Sequence, residues 1–536
     1  MIGDLRELED GAQLEADLVL VGAGAAGIAI AQAFVDGGAD VVLLESGGLR
    51  RTAAADSLNE GEAAGMDPAS LTAGRGRVFG GATALWAGQC LPPEPSTFAL
   101  RPWIPNSGWP FDHTVLEPYY RRAESLLRIA GEPYDETVWI RFGVTRPSFD
   151  PQRVTHRFTV WCPQPHLGRL YRRRLEGSAQ VRVLLNATVT EIATTPSGER
   201  FESLRAVTPE GKSISVRARA CVLCGGGIEN SRLLLASNGA HAAGLGNRYD
   251  VVGRFFQDHP NGHPALVVGA NTRRLQELYG LFYRGRVRHL PRLVLTPELQ
   301  RSEGVLACAA YPVFHFGEGS GIEAARRVYR SVKGRRRPES LSRELARMAR
   351  DAPRLASLAY RRLAHGRSTW VPPTHVTLQV HAEQAPDPAS RVTLSQRRDR
   401  FGVPLPKVSW KLGELDRRTE EVMVRTVREE FRRLGLGDVR MEPWLAETDW
   451  TRHVSDSFHH MGTTRLGTDP KTSAVDPDGQ VHGVAGLFVA GSSLFPAAGH
   501  ANPTLTIVAL AIRLADHLER VLPRLPAASR LNPAGR

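Results

Sequence analysis

Leu18-Val19-Leu20-Val21-Gly22-Ala23-Gly24-Ala25-Ala26-Gly27 is the stretch that decides the fold. An apolar run predicts a buried strand, and the small residues that follow, as far as Phe34, predict a helix. Val41-Val42-Leu43-Leu44 predicts the next strand. The glycines at 22, 24 and 27 fit GxGxxG, where they serve a tight turn, close backbone approach to a pyrophosphate, and helix–strand contact. Glu45 ends the second strand, 21 residues after Gly24. A carboxylate there accepts hydrogen bonds from ribose hydroxyls and repels a 2′-phosphate, which disfavours NADP. The expectation is an α/β chain with a Rossmann-like, doubly wound sheet.

The same texture recurs along the chain. Val181 to Ile192 and Ser213 to Leu223 read as strands, and Gly225-Gly226-Gly227 leads into a helix over Glu229 to Ser237. Gly486 to Gly491 and a helix over Thr504 to Arg520 return the chain to the first domain. Between them, His375 to His381 and Arg391 to Leu394 read as strands joined through a turn at Pro386 and Pro388, inside an antiparallel substrate-binding sheet. The expected division is a discontinuous cofactor domain, 1–265 with 445–536, and a substrate domain, 266–444.

A hydrophobic content of 42% with 23% charged residues over 536 positions is ordinary for soluble globular chains. There is no apolar run long enough for a membrane helix, and the acidic start lacks the features of a signal peptide, so a cytoplasmic location is expected. Five scattered cysteines argue against a disulfide framework, and Cys221 and Cys224, despite their CxxC spacing, read as core residues. The net charge is +12. Much of the surplus falls in an arginine-rich segment, 326–367, where Leu341, Leu345, Met348, Ala352, Leu355 and Leu358 recur at helical spacing, broken at Pro353. Two surface helices packing by one stripe is the plain reading. Docking to an anionic membrane surface, to an acidic electron-acceptor protein or to another subunit stays open beside it. No nucleic-acid recognition module accompanies the cluster.

Two further glycine clusters, Gly74 to Gly81 and Gly491-Ser492-Ser493, favour the long cofactor FAD over NAD, since it needs close backbone approach in several places. With the fingerprint, four other stretches carry a resemblance: Gly80 to Gly88, Ser107-Gly108-Trp109-Pro110 with Pro118-Tyr119-Tyr120, Glu383 to Val392, and His459-His460-Met461-Gly462-Thr463 with Asn502-Pro503-Thr504. Together they resemble the glucose–methanol–choline (GMC) flavoproteins, and Gly499 to Thr506 looks like the pyranose 2-oxidases and bacterial glycoside 3-oxidases among them. The resemblance implies FAD contacts at Gly22, Gly24, Ala25, Ala26, Gly27, Glu45, Ser46, Arg77, Gly81, Thr83, Trp86, Val189, Gly491, Pro503 and Thr504. Some relatives tether FAD through a histidine before the motif tryptophan; Leu85 stands there, so non-covalent FAD is expected. Gly491 replaces an aspartate of many members, and Ala87 a polar residue of some oxidases.

Alcohol oxidation by a flavin sends a hydride to N5 and the hydroxyl proton to a base, for which a neutral imidazole is suited. The resemblance assigns that role to His459, with Asn502 orienting the reacting oxygen. His460 is expected to face elsewhere, His500 to face the substrate, and His259 carries no role. No metal-ligand spacing and no GxSxG elbow is present, so no metal and no hydrolase chemistry are expected. The expected activity is oxidation of a sugar or glycoside hydroxyl to a carbonyl, with oxygen or a quinone-type acceptor reoxidising the flavin. Oxidation of an aminosugar or other natural-product alcohol, and a non-catalytic flavoprotein, are the competing readings.

Overall fold

The computed structural model describes residues 1–66, 71–333, 340–368 and 371–526. Strand Gln13–Val21 leads through the glycine turn into helix Ala25–Phe34 and strand Val41–Leu44, as the opening stretch predicts. Val41–Leu44 is buried along its whole length, which suits the centre of a parallel sheet covered on both faces. The sheet runs Ile2–Asp4, Val181–Leu185, Val41–Leu44, Gln13–Val21, Ser213–Leu223, Phe201–Val207, Thr188–Thr194, with Leu487–Val489 parallel to Ser213–Leu223. Neighbours are parallel as far as Ser213–Leu223 and antiparallel beyond it. The single strand expected over 181–192 is two, Val181–Leu185 and Thr188–Thr194, broken where Asn186 takes φ 55°.

Alanines on Ala25–Phe34 let the C-terminal helix Thr504–Val521 pack closely against it, so the last segment returns to the first. The five cysteines are buried and free, Cys221 and Cys224 among the core residues of this sheet.

A second, antiparallel sheet runs Asp438–Met441, Asn261–Val268, His375–Ala382, Cys308–His315, Val287–Leu295, Val154–Trp161, Gln89–Cys90. Two of its strands, Gln89–Cys90 and Val154–Trp161, come from the segment before residue 265, so the sheets interleave more than the sequence division suggests. His375–Ala382 and Arg391–Arg398 do not form the expected hairpin: the second pairs with Pro404–Trp410 in a separate three-stranded sheet. The buried Glu383, which holds Arg101 in an ion pair at 2.6 Å, fixes the chain where it leaves one sheet for the other.

In the arginine-rich segment, helices Leu341–Arg350 and Ala352–His365 meet next to Pro353. The expected stripe packs only in part, because Leu341 and Leu345 are exposed.

Candidate active site

One cavity of about 810 Å³ lies where the two large sheets meet. Three helix N-termini open on it: those of Ala25–Phe34, Gly226–Ala236 and Thr504–Val521. Of the residues expected to touch FAD, Gly22, Gly24, Ala25, Ala26, Glu45, Ser46, Arg77, Gly81, Thr83, Trp86, Val189, Gly491, Pro503 and Thr504 line it. Gly27 does not; a Cβ there would sit 2.0 Å from the Gly22 carbonyl oxygen, so its task is helix–strand contact. Gly22, at φ 106°, turns the chain, while a Cβ on Gly24 would meet nothing within 4 Å. The open side of Gly24, beside a helix N-terminus, fits the close passage of a pyrophosphate.

Glu45 closes this cradle. One carboxylate oxygen accepts from the Ala23 amide and the other from the Gly47 amide, each at 2.9 Å. Burial raises its pKa to about 7, against those two amides and the nearby Arg77. An ion-pair knot missed by sequence reading lies alongside: the partly buried Glu229 holds Arg75, Arg77 at 3.2 Å and Arg232 at 3.2 Å. Although burial opposes it, the three guanidiniums hold the Glu229 carboxyl well below the usual carboxylate range.

At the other end of the cavity stand His459 and Asn502, the two residues the motifs single out, and both line it. Each is held by a partner the sequence did not reveal. His459 Nδ1 lies 2.8 Å from Nδ1 of His259, whose Nε2 lies 2.8 Å from the Gly499 carbonyl oxygen. A carbonyl only accepts, so His259 Nε2 carries a proton. Burial first, with Arg292 adding to it, lowers the His259 pKa to about 4 and keeps the ring neutral, so its Nδ1 is an acceptor. His459 Nδ1 must then donate, and His459 Nε2 is left unprotonated. Burial, followed by His259 and Arg292, also holds His459 well below the ordinary histidine value.

Asn502 is fixed in the same manner. Arg292 Nη2 donates to its Oδ1 at 3.3 Å, which leaves the amide NH₂ as the donating edge. Arg292 is fully buried, stands over the Tyr311 ring at 5.5 Å, and lines the cavity with Tyr311, Gln379 and Asn261. Gln379 donates to the Asn261 side chain at 2.7 Å.

The buried Asp258 ties the two histidine segments together. Its carboxylate accepts from the backbone amides of His259 at 2.7 Å and of Ser457 and His459 at 2.9 Å. Burial, reinforced by Asp456, raises its pKa to about 8.

Three expectations need correction. His460 also lines the cavity, next to Phe256, although its ring converges with Asp258 and Asp456 and not with His259. His500 does not line the cavity; it is buried, and its carbonyl accepts from His381 Nδ1 at 3.2 Å. His259, given no role, sits at the centre of the hydrogen-bond chain. Ligand-like clusters also exist that spacing could not show: His259, His381 and His459 converge, as do Asp258, Asp456 and His460. In the first, two Nδ1 positions already face each other across a hydrogen bond.

Residues 386–511 match the family model described as GMC oxidoreductase. Over most of its length the chain is similar to the fructose dehydrogenase large subunit of Gluconobacter japonicus, 23% identical across 94% of this chain and 97% of that one. A shorter stretch, 22% of this chain and 21% of the relative, is 42% identical to a C-glycoside 3-oxidase of Arthrobacter globiformis. In three dimensions the chain resembles a formate oxidase of Aspergillus oryzae, with a TM-score of 0.57 at 16% identity over 97% of this chain and all of that one.

Proposed function

From a chain that belongs to the GMC oxidoreductases, FAD-dependent enzymes acting on alcohol groups, we propose oxidation of a sugar or glycoside hydroxyl to a carbonyl, with His459 as the base. The observation that carries the reading is the hydrogen-bond chain from the Gly499 carbonyl through His259 to His459, which leaves Nε2 of His459 as a free acceptor. When bound, FAD supplies the hydride acceptor. Its fit is supported by the glycine cradle, the open side of Gly24 and the helix N-termini around the cavity. With Leu85 and no histidine before Trp86, the binding is non-covalent.

The side chains divide the work at the reacting oxygen. His459 Nε2 takes the hydroxyl proton, and the Asn502 amide donates to the oxygen as negative charge develops there. Because Arg292 and His259 fix which edge of each group faces the substrate, the alcohol is oriented in a single sense, donating to one partner and accepting from the other. The positive charge of Arg292 near both groups favours the alkoxide and disfavours protonation of His459. Tyr311, Gln379 and Asn261 offer hydroxyl and amide groups suited to a substrate with several hydroxyls. The sugar-oxidising relatives point the same way.

The test is anaerobic bleaching of the protein-bound flavin near 450 nm with sugars, glycosides, aminosugars and non-sugar alcohols. Bleaching by sugars or glycosides is expected, with a ketone or aldehyde product. Bleaching by non-sugar alcohols alone overturns the substrate class, and a flavin that none of them reduces overturns the activity. The same reduced protein, mixed with oxygen or a soluble quinone, identifies the acceptor.

A further inference from the structure

Strands Cys308–His315 and His375–Ala382 pair in register to their last residues, His315 opposite His375, whose rings stack at 4.3 Å. A turn of a few residues would close such a hairpin. Instead 59 residues, 316–374, intervene, and helices Gly321–Lys333, Leu341–Arg350 and Ala352–His365 project from it as an arm. Sheet closure does not require this insertion.

The arm has an unusual charge. Residues 321–367 hold fourteen of the basic residues and only four acidic ones, a net +10 within a chain of net +12. The described acids are spent inside the arm: Glu323 pairs with Arg326, Glu344 with Arg327 and Arg347, and Asp351 accepts from the Gly321 amide and pairs with Arg354. The surplus is therefore cationic, and Arg330, Arg343 and Arg350 are exposed.

Each helix also leaves an apolar pair in solvent. Tyr329 and Val332 are both 68% exposed, Leu341 and Leu345 are 47% and 50%, and Tyr360 and Leu363 are 64% and 86%. Spacings of three or four residues put the members of each pair on one side of their helix. Among the described residues no helix is long and apolar enough to cross a membrane.

We propose that this arm docks on an anionic phospholipid surface. Arginines interleaved with aromatic and aliphatic side chains on short helices match a contact in which the apolar groups enter the headgroup layer and the guanidiniums stay at the phosphates. A protein partner demands a different pattern, one continuous desolvated patch with charge excluded from its centre. Here the apolar groups are pairs on three helices, with arginine on every helix.

The experiment uses the full-length, FAD-loaded protein and sedimentation with vesicles of phosphatidylcholine alone or mixed with phosphatidylglycerol. Binding is expected only with phosphatidylglycerol, with release in about 0.5 M salt. The pair Arg343→Glu with Arg350→Glu weakens binding at least about 25-fold, on a basis of about fivefold per basic residue at such a surface. Tyr360→Ser with Leu363→Ser weakens binding at unchanged charge. Both variants alter exposed side chains, and an unchanged melting temperature confirms that the fold is retained. Equal binding to both vesicle types, or protein left in the supernatant with phosphatidylglycerol, overturns the proposal; the second result is what docking to an acidic protein would give. Because binding is read directly, failure leaves the catalytic reading untouched.

Discussion

His259→Leu is the most informative substitution, because it removes one acceptor and leaves the His459 ring in place. In the native chain His459 Nδ1–H has a neutral acceptor at 2.8 Å, so Nε2 is held free of its proton. Without that acceptor a buried N–H is unpaired, at about 1–3 kcal/mol. His459 can avoid it by moving the proton to Nε2, which converts the base into a donor. If that energy is expressed in the transition state, flavin reduction slows by about 5- to 150-fold. His259→Asn keeps an amide oxygen near the former Nδ1 position and recovers most of the loss. The assay is anaerobic stopped-flow reduction at saturating substrate, with FAD content and melting temperature measured in parallel. A purely structural His259 would lower stability and FAD content together, with no selective recovery by Asn. Reduction at the wild-type rate in His259→Leu, while His459→Ala abolishes it, would falsify the hydrogen-bond chain as the device that sets the base.

His459→Ala itself should retain FAD, seen in the visible spectrum, and lose reduction by several orders of magnitude; equal rates would remove His459 as the base. Because burial and Arg292 hold His459 well below the ordinary value of about 6.5, reduction should stay level as pH falls through that value and decline only at lower pH. Half-loss near 6.5 in the measured profile would contradict this. Stability should follow the same groups: His259, at about 4, stays neutral when folded, whereas the unfolded chain takes up its proton below about 6.5. Stability is therefore lost as pH falls through that window, which thermal melts at successive pH values will register. Glu229→Gln strands Arg75 and Arg77 without a carboxylate, while Arg232 keeps Asp399 at 2.7 Å, and should cost about 3–5 kcal/mol by denaturant unfolding. An unchanged midpoint would mean that the guanidiniums find other partners.

What the sequence disclosed follows from how locally each feature is encoded. The fingerprint from Leu18 to Gly27 is legible because strand, turn and helix are consecutive, and Gly27 answers to the Gly22 carbonyl within the same turn. The strands of the cofactor sheet are legible for the same reason, as runs or alternations of buried residues. The expected hairpin through Pro386 and Pro388 failed because strand propensity does not encode which sheet a strand joins; that depends on Glu383 meeting Arg101, 282 positions away. At the site, motif spacing could name His459 and Asn502, but not the atoms that make them useful. His259 lies 200 residues from His459, and Arg292 lies 210 from Asn502. In isolation the first reads as a histidine before a proline and the second as one arginine among many. Only the antiparallel sheet, which carries Asn261–Val268, Val287–Leu295 and His375–Ala382 to the cavity, gives those two residues their electrostatic meaning. A base is thus defined less by the histidine than by the neighbour that decides which of its nitrogens holds the proton.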